Sequence, residues 1–397
     1  MKYYLISGEA SGDLHGSNLI KQLQLLDINN SVRCWGGDLM QATGATLVKH
    51  YRELAFMGFA EVIKNLPTIL KNIRFCKKDI LQFQPDVLVL IDYPGFNLRI
   101  AEWAKQQGIK VVYYISPQVW AWKANRVKKM RLCIDKMLVI LPFEKSYFKD
   151  VWQWDVEYVG HPLVEVVHEY QLQVANSKLQ DSSYKMQDTS DKLQGSNNQQ
   201  LVTSNKPIIA LLPGSRKQEI SKKLPVMLDV AKAFPDYQFV IAEAPGLDAA
   251  FYASFYSDAS VNAGGNIATL KNDTYSLLAT ATAALVTSGT ATLETALFGV
   301  PEVVCYKGSN ISYQIGKRLI KIKYISLVNL IMDKLVVKEF IQDEMTTENL
   351  VIELKALLGN EQRQHQIQQD YAALKAILSQ GGNASQKAAK SIYDCLN

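Results

Sequence analysis

The chain has 397 residues, 48% of them hydrophobic and 20% charged. At about 150 residues per domain that is enough for two or three packed cores, which excludes a disordered, collagen-like or disulfide-scaffold chain. The formal charge of +5 is too small for a dedicated nucleic-acid binder, so no nucleic-acid partner is expected. The charge is uneven: residues 1–160 carry +6 and the remainder −1.

Strand candidates appear in chain order at 3–7, 32–36, 86–92, 110–116, 136–141 and 156–160, then at 208–213, 238–243, 283–288 and 301–306. Most are near-continuous Val/Ile/Leu runs, the pattern of strands buried on both faces, and most are spaced widely enough for a crossover helix. Two successive parallel α/β units are expected, over 1–170 and 206–345. Between them, 22 of the 35 residues at 171–205 are Gln, Ser, Asn, Thr or Asp, with a seven-residue quasi-repeat at 177–197. Each heptad offers one apolar position where a coiled coil needs two, which favours a solvated, mobile insertion over a partner-binding helix. Beyond Tyr306 the rhythm is helical, near 310–321, 335–343, 346–358, 361–379 and 384–396. The last helices, in 346–397, are expected to pack on the body or on a second subunit.

The five cysteines (Cys34, Cys76, Cys133, Cys305, Cys395) form no pairing or metal-site pattern, as in a chain with reduced thiols. The N-terminal apolar stretch is too short for a signal sequence, and no run approaches the ~18 apolar residues that span a bilayer. A cytoplasmic protein with at most peripheral membrane contact is expected.

Four stretches carry candidate chemistry. In GEASGD, after the first strand, the small residues Gly8, Ser11 and Gly12 allow close approach of a ligand, and Glu9 suits a hydroxyl better than a phosphate. Asp13, and further on Asn97, are placed with them in the ligand's cleft; the plainer reading is a strand-to-helix turn with Asp13 as its cap. In IDYPGFN, Asp92 ends a strand and would share a crevice with Glu9, the pair forming a base and its partner, while Asn97 can cap the next helix. A turn-forming Asp is the alternative. The third is a pair of turns, LLPGSRKQEI and TSGTATLETALFGVP, with Gly214, Ser215, Arg216 and Glu219 in one and Ser288, Gly289, Thr290 and Glu294 in the other. A guanidinium and a hydroxyl-bearing helix start suit a diphosphate, and Glu294 a sugar's hydroxyls. Against this stand an ordinary cap and a surface arginine.

The fourth stretch interleaves Lys64, Lys71, Arg74, Lys77 and Lys78 with Leu66, Ile69 and Leu70, and a second basic run follows at 120–131. It is either a contact for an anionic membrane or the basic rim of a core helix. The chain has no Asp-x-Asp, H-E-x-x-H, Walker or G-x-S-x-G motif, no G-x-G-x-x-G, and no ligand spacing among its histidines, with His161 read as structural.

Taken in order, GEASGDLHGSNLI, ELAFMGFAEVIKNLP, IDYPGFN, YYISPQVWAWKANRV, LPFEKSYF, VGHPL, LLPGSRKQEI, SGTATLETALFGVP and YISLVNLIMDKLVVKEFIQDE resemble the lipid-A-disaccharide synthases from residue 3 to about 345. The 171–205 insertion is longer than that family usually has. The resemblance implies a GT-B α/β fold, two Rossmann-like parallel-sheet domains facing a cleft, with C-terminal helices. It implies inverting, metal-independent transfer from UDP-2,3-diacylglucosamine to 2,3-diacylglucosamine 1-phosphate, giving a β-1,6-linked disaccharide 1-phosphate and UDP, with no cofactor. It assigns the essential carboxylate to Asp92, the first-loop carboxylate to Glu9, and nucleotide contacts to Arg216, Glu294 and Asn329. It further implies a homodimer through the C-terminal helices and a place on the inner face of the inner membrane. The competing readings are another GT-B enzyme of UDP-N-acetylglucosamine, an epimerase or glycan transferase, and a non-catalytic nucleotide-sugar-binding protein.

Overall fold

The computed structural model describes residues 1–54, 66–184, 206–244, 247–256, 266–308 and 323–397. These form two compact units, one of Met1–Pro162 with Leu378–Asn397 and the other of Leu163–Ile377.

Unit 1 runs β1 (Lys2–Ser7), α1 (Ala10–Leu26), β2 (Ser31–Gly36), α2 (Asp38–Ala42), β3 (Thr46–His50), α3 (Leu66–Phe83), β4 (Val87–Ile91), α4 (Pro94–Gln106), β5 (Lys110–Tyr114), α5 (Arg126–Cys133), β6 (Lys136–Val139), α6 (Pro142–Trp152) and β7 (Glu157–Tyr158). All its strands pair in parallel, in the order β3-β2-β1-β4-β5-β6-β7. Strand side chains alternate between faces. Tyr4, Ile6, Leu88, Leu90, Val111 and Tyr113 therefore share a core with Ile73, Ile80, Phe96, Ile100 and Val127 of α3, α4 and α5. Tyr3, Leu5, Val89 and Val112 lie on the opposite face and are fully buried as well.

The helix α7 (Pro162–Tyr184) carries the chain into unit 2. There β8 (Ile208–Leu212), α8 (Lys217–Ala231), β9 (Gln238–Glu243), α9 (Ala249–Tyr256), β10 (Ile267–Lys271), α10 (Thr274–Thr280), β11 (Ala281–Thr287), α11 (Thr290–Leu297), β12 (Glu302–Tyr306), α12 (Leu327–Met332) and β13 (Lys338–Ile341) follow. The second sheet is also parallel, in the order β10-β9-β8-β11-β12-β13. Then come α13 (Thr347–Gly359), α14 (Glu361–Ser379) and α15 (Ala384–Asp394). The last returns to unit 1 and packs on α1, with Ala384, Ala388, Ala389 and Ile392 fully buried.

Two parallel α/β units with C-terminal helices are what the sequence led us to expect. The chain passes between units at 162/163 and 377/378. The helix α7 runs on through the expected boundary to Tyr184, so the polar stretch begins as helix; its part from 185 to 205 lies outside the described residues, as does the expected helix at 310–321. The segment expected as a helix over 335–343 holds β13, which pairs with β12 from Val303↔Lys338 to Tyr306↔Ile341, followed by a single 3₁₀ turn. The edge strands β3 and β10 were not expected either.

Candidate active site at two sheet switch points

In an open parallel sheet the strand order reverses at one place, and the crevice beyond the carboxyl ends of the two strands there is the ligand site. In unit 1 those strands are β1 and β4, and in unit 2 they are β8 and β11. Both candidate loop pairs therefore sit at switch points: Gly8–Glu9 and Asp92 in unit 1, Gly214–Arg216 and Ser288–Thr290 in unit 2.

Unit 1 brings two carboxylates together. Asp92 and Tyr93 adopt left-handed backbone, with φ of 44° and 49°, a costly conformation for residues bearing a Cβ. What holds them is local. The Tyr113 hydroxyl donates to the Asp92 carbonyl at 2.5 Å, and the fully buried Asn97 amide donates to the carbonyls of Ile6, Ile91 and Asp92 at 3.3, 3.2 and 2.8 Å. Asn97 thus ties the end of β1 to the end of β4. The Tyr93 ring covers Gly8 so closely that a Cβ there would lie 2.4 Å from it.

Burial, and after it the neighbouring charge of Glu9, push the Asp92 carboxyl up to about 7, against one backbone N–H that lowers it. A carboxylate with its proton affinity moved to neutrality suits a general base. Behind it Glu144, buried at the start of α6, accepts from the Ile140 and Leu141 N–H groups at 3.3 and 3.0 Å and from the Trp120 indole at 3.2 Å. Desolvation, opposed by those hydrogen bonds, pushes it up to about 8, with Asp92 adding to the rise. The Ser7 hydroxyl and the Asn97 carbonyl oxygen are buried at the same end of the sheet without a partner among the described residues.

Of the other residues expected here, Ser11 is exposed in the first turn of α1, and Gly12 packs against the Ser7 side chain. Asp13 is neither the cap of α1, whose N-cap is Glu9, nor open to a ligand. Its buried carboxylate accepts from the N–H groups of Gly37, Met40 and Leu39 at 2.7, 3.0 and 3.1 Å, so it caps α2 instead. His161 and His15 are both buried, and desolvation lowers their pKa values to about 3 and about 4, with His15 adding to the shift of His161.

Unit 2 builds a cationic loop pair. Gly214 has φ 117°, and a Cβ there would meet the Glu219 carboxylate at 2.9 Å. Arg216, half exposed, is the N-cap of α8 and donates to Glu219 at 3.0 Å. The other Glu219 oxygen lies 3.8 Å from the ammonium of Lys223, which is 3% exposed and donates to the Thr287 hydroxyl. Burial lowers the Lys223 pKa while Glu219 pulls it back up. Lys223 thus joins the loop after β8 to the end of β11. Beyond β11, Gly289 has φ 146° and caps α11, whose first turn presents Thr290 and backbone N–H groups at the positive end of the helix. The Ser288 hydroxyl donates to the Ile325 carbonyl at 2.8 Å, and Ser215 is exposed. Glu294, largely buried, accepts from the Tyr275 hydroxyl at 3.3 Å, and burial raises its pKa.

Asn329 is fully buried, and all four of its hydrogen-bonding positions are taken. It donates to Val337 and Glu339 at 2.8 Å each and accepts from Val336 and Val337 at 2.8 and 3.0 Å. Glu339 in turn accepts from the Ile325 and Ser326 N–H groups at 2.9 Å. Asn329 thereby shapes the segment under Ser288, and would meet a nucleotide only by giving those bonds up. Sequence reasoning missed Tyr113, Glu144, Lys223 and Glu339. The one visible signal was the four-residue spacing of Glu219 and Lys223. Among the described residues no three His, Cys, Asp or Glu side chains converge as a metal site.

The basic strip is partly as expected. On α3, Lys71, Arg74 and Lys78 are exposed together with Leu70, Phe75 and Leu81, while Ile69 turns onto the core and Lys77 lies over the Trp103 ring at 5.3 Å. Leu66 begins the helix, and Lys64 lies outside the described residues.

Comparison with known proteins bears on the whole chain. Solved structures of similar fold include the UDP-GlcNAc 2-epimerase of Neisseria meningitidis (TM-score 0.67, 13% identity, 99% of this chain and 100% of that one) and that of Methanocaldococcus jannaschii (0.60, 13%, 95% and 100%). At such identity the likeness shows the fold alone. Among curated relatives, the lipid-A-disaccharide synthase of Syntrophus aciditrophicus (strain SB) is 37% identical over 98% of this chain and 96% of its own. That of Geobacter metallireducens is 35% identical over 99% and 96%, and that of Coxiella burnetii (strain CbuG_Q212) 35% over 99% and 98%. The family model described as lipid-A-disaccharide synthetase matches residues 3–393. That match begins in β1, runs through both switch points and ends in α15, so the chain belongs to the lipid-A-disaccharide synthase family.

Proposed function

We propose that the chain transfers 2,3-diacylglucosamine from its UDP-activated form to the 6-hydroxyl of 2,3-diacylglucosamine 1-phosphate, with inversion, releasing UDP. Family membership supports the glycosyltransferase activity. The observation that carries the division of labour is the contrast between the switch points: a carboxylate pair in unit 1, a cation and a helix start in unit 2. Asp92 takes the proton of the acceptor hydroxyl as it attacks the donor's anomeric carbon. Burial, with the charge of Glu9 beside it, holds Asp92 at a proton affinity suited to that transfer. The departing diphosphate gains charge as the sugar leaves, and Arg216 with the N–H groups of α11 stabilises it.

The direct test is a UDP-release assay. Release is expected only when diacylated donor and diacylated acceptor are both present, at a rate that EDTA leaves unchanged. Turnover of UDP-N-acetylglucosamine but not of the diacylated donor would overturn the assignment in favour of another enzyme of this fold. Intact UDP binding with no turnover of either would favour a binding protein.

Both substrates carry acyl chains, so the enzyme works at a lipid surface, on the inner face of the inner membrane. No helix among the described residues is long and apolar enough to cross a membrane. The exposed face of α3 is the proposed contact, with Leu70, Phe75 and Leu81 set among Lys71, Arg74 and Lys78. Each cation near an anionic leaflet contributes about 1 kcal/mol. Replacing these three cations with Glu should therefore weaken binding to phosphatidylglycerol vesicles by about 100-fold or more at low salt. Undiminished co-sedimentation would remove α3 from that role. Within the chain, the apolar face of α15 packs on α1.

A further inference from the structure

A groove of about 240 Å³ lies between α4 and α5 of unit 1, and none of the roles above uses it. Leu98 and Met130 line its apolar part, and Arg99, Arg126 and Lys129 its polar part. Pro94, at one end, is the second residue after Asp92. The one carboxylate in the lining, Glu102, meets Lys129 only at 4.0 Å. Among the described residues neither Arg99 nor Arg126 forms an ion pair.

Around this groove positive charge is concentrated, not neutralised. The Lys123 ammonium and the Arg126 guanidinium both lie against the exposed Trp122 ring, 4.2 and 5.6 Å from its centroid. Like charges held together repel unless an anion relieves them. Both helices also begin at this end, α4 at Pro94 and α5 at Arg126, so two helix N-termini add to the field. The groove is continuous with the Asp92 turn. Arg126 acts electrostatically on the Tyr113 hydroxyl, which itself donates to the Asp92 carbonyl.

We propose that this groove holds the phosphomonoester of the acceptor, with Arg126 as its main ligand and Arg99 and Lys129 beside it. The inference rests on the transferase reading and extends it to acceptor selection. In such an acceptor the phosphate on C1 and the C6 that bears the attacking hydroxyl are carried by the two carbons flanking the ring oxygen. A phosphate site close beside the base, as a groove that includes Pro94 is, therefore turns that hydroxyl toward Asp92. A planar guanidinium fits two phosphate oxygens at once, which an ammonium cannot do. The apolar part beside it suits the first carbons of an acyl chain.

The test compares kcat/KM for the phosphorylated acceptor with that for the same diacylglucosamine lacking the phosphate, in wild type, Arg126→Ala, Arg126→Lys and Arg99→Ala. Wild type should favour the phosphorylated acceptor by at least about 100-fold, the range for a well-placed charged pair. Arg126→Ala should lower kcat/KM for that acceptor about 30-fold or more, chiefly through KM, and change the phosphate-free acceptor less than about twofold. Arg126→Lys should fall between, and Arg99→Ala should show a smaller loss of the same kind. Binding of Arg126→Ala to phosphatidylglycerol vesicles should stay at the wild-type value. An undiminished preference in Arg126→Ala overturns the proposal, as does a wild type without preference. A loss of vesicle binding with the preference intact overturns it in favour of lipid headgroups. A wild type that releases no UDP with either acceptor overturns the transferase reading and this proposal together, whereas active wild type with unaltered variants overturns this proposal alone.

Discussion

Asp92→Asn should lower kcat by about 10²–10⁴-fold while UDP binds with wild-type affinity, because a general base contributes about that much and the nucleotide loops belong to the other unit. Asparagine keeps the size and the Asn97 and Tyr113 contacts, which are made to the residue 92 carbonyl and not to its side chain. What is lost is the capacity to accept a proton. The pH profile sharpens the test. With its carboxyl pushed up to about 7, Asp92 is protonated and inactive as a base below that value, so wild-type kcat/KM should rise through pH 7 and level off above it. In Asp92→Asn the residual rate should lack that limb.

Stability should move the other way. The folded state holds this proton more tightly than the unfolded chain, whose carboxyl titrates near 3.8, so Asp92 costs stability increasingly between about pH 4 and 7 and fully above 7. The neutral variant should therefore be as stable as wild type at pH 4 and more stable at pH 8, by roughly 2 kcal/mol once partial solvent exposure is allowed for. Turnover near the wild-type rate would overturn the role of Asp92. Lost turnover with lost stability at pH 8 would point to a scaffolding residue.

The parts of this fold that were legible share a physical cause. Central strands such as β4 and β11 are buried on both faces and must be apolar throughout, so VLVLI and AALV stand out in the sequence. The strands that escaped notice, TLVKH of β3, IATLK of β10 and KEFI of β13, all lie at sheet edges, paired on one side and partly exposed. Nothing obliges an edge strand to be continuously apolar, and charges there discourage pairing with other chains. The divergence at 335–343 has the same origin, since four residues of mixed polarity beside a helical region carry no period of their own.

The site divides along a similar line. Loops that follow strands and contain Gly8, Gly214 or Gly289 were visible because backbone geometry demands particular residues there. Polar side chains were harder to assign, because a buried group that serves the chain and one that serves a ligand are the same residue type. Asn329 and Asp13 were read as ligand contacts; Asp13 proves to be saturated by backbone N–H groups, and Asn329 by backbone groups and the Glu339 carboxylate. Lys223 errs the other way: on an amphipathic helix it reads as surface charge, and only the fold reveals that it is buried beneath Thr287.

Asp13→Ala should be among the most destabilising single substitutions in unit 1, and its effect should be on folding, not on the nucleotide. The helix α2 has five residues, too few to persist without tertiary support. Its N-terminal N–H groups, with that of its N-cap Gly37, have the Asp13 carboxylate as acceptor, Oδ1 taking Gly37 and Met40 and Oδ2 taking Leu39. Alanine leaves these donors without a partner, in a place where Gly37 already packs so closely that a Cβ on it would lie 2.6 Å from Asp13. Each donor stranded away from water costs about 1–3 kcal/mol, so a total of about 3–5 kcal/mol is expected. That is a large share of the ~5–15 kcal/mol that holds a domain together. Asp13→Asn retains one carbonyl oxygen and should lose about half as much. Urea unfolding should show the order wild type, Asn, Ala in the midpoint of unit 1, while UDP affinity, measured by calorimetry under conditions where the variant is folded, stays unchanged. An Ala variant with the wild-type midpoint and a raised KM for the acceptor would mean that this carboxylate serves the substrate after all, and that α2 is held by something else.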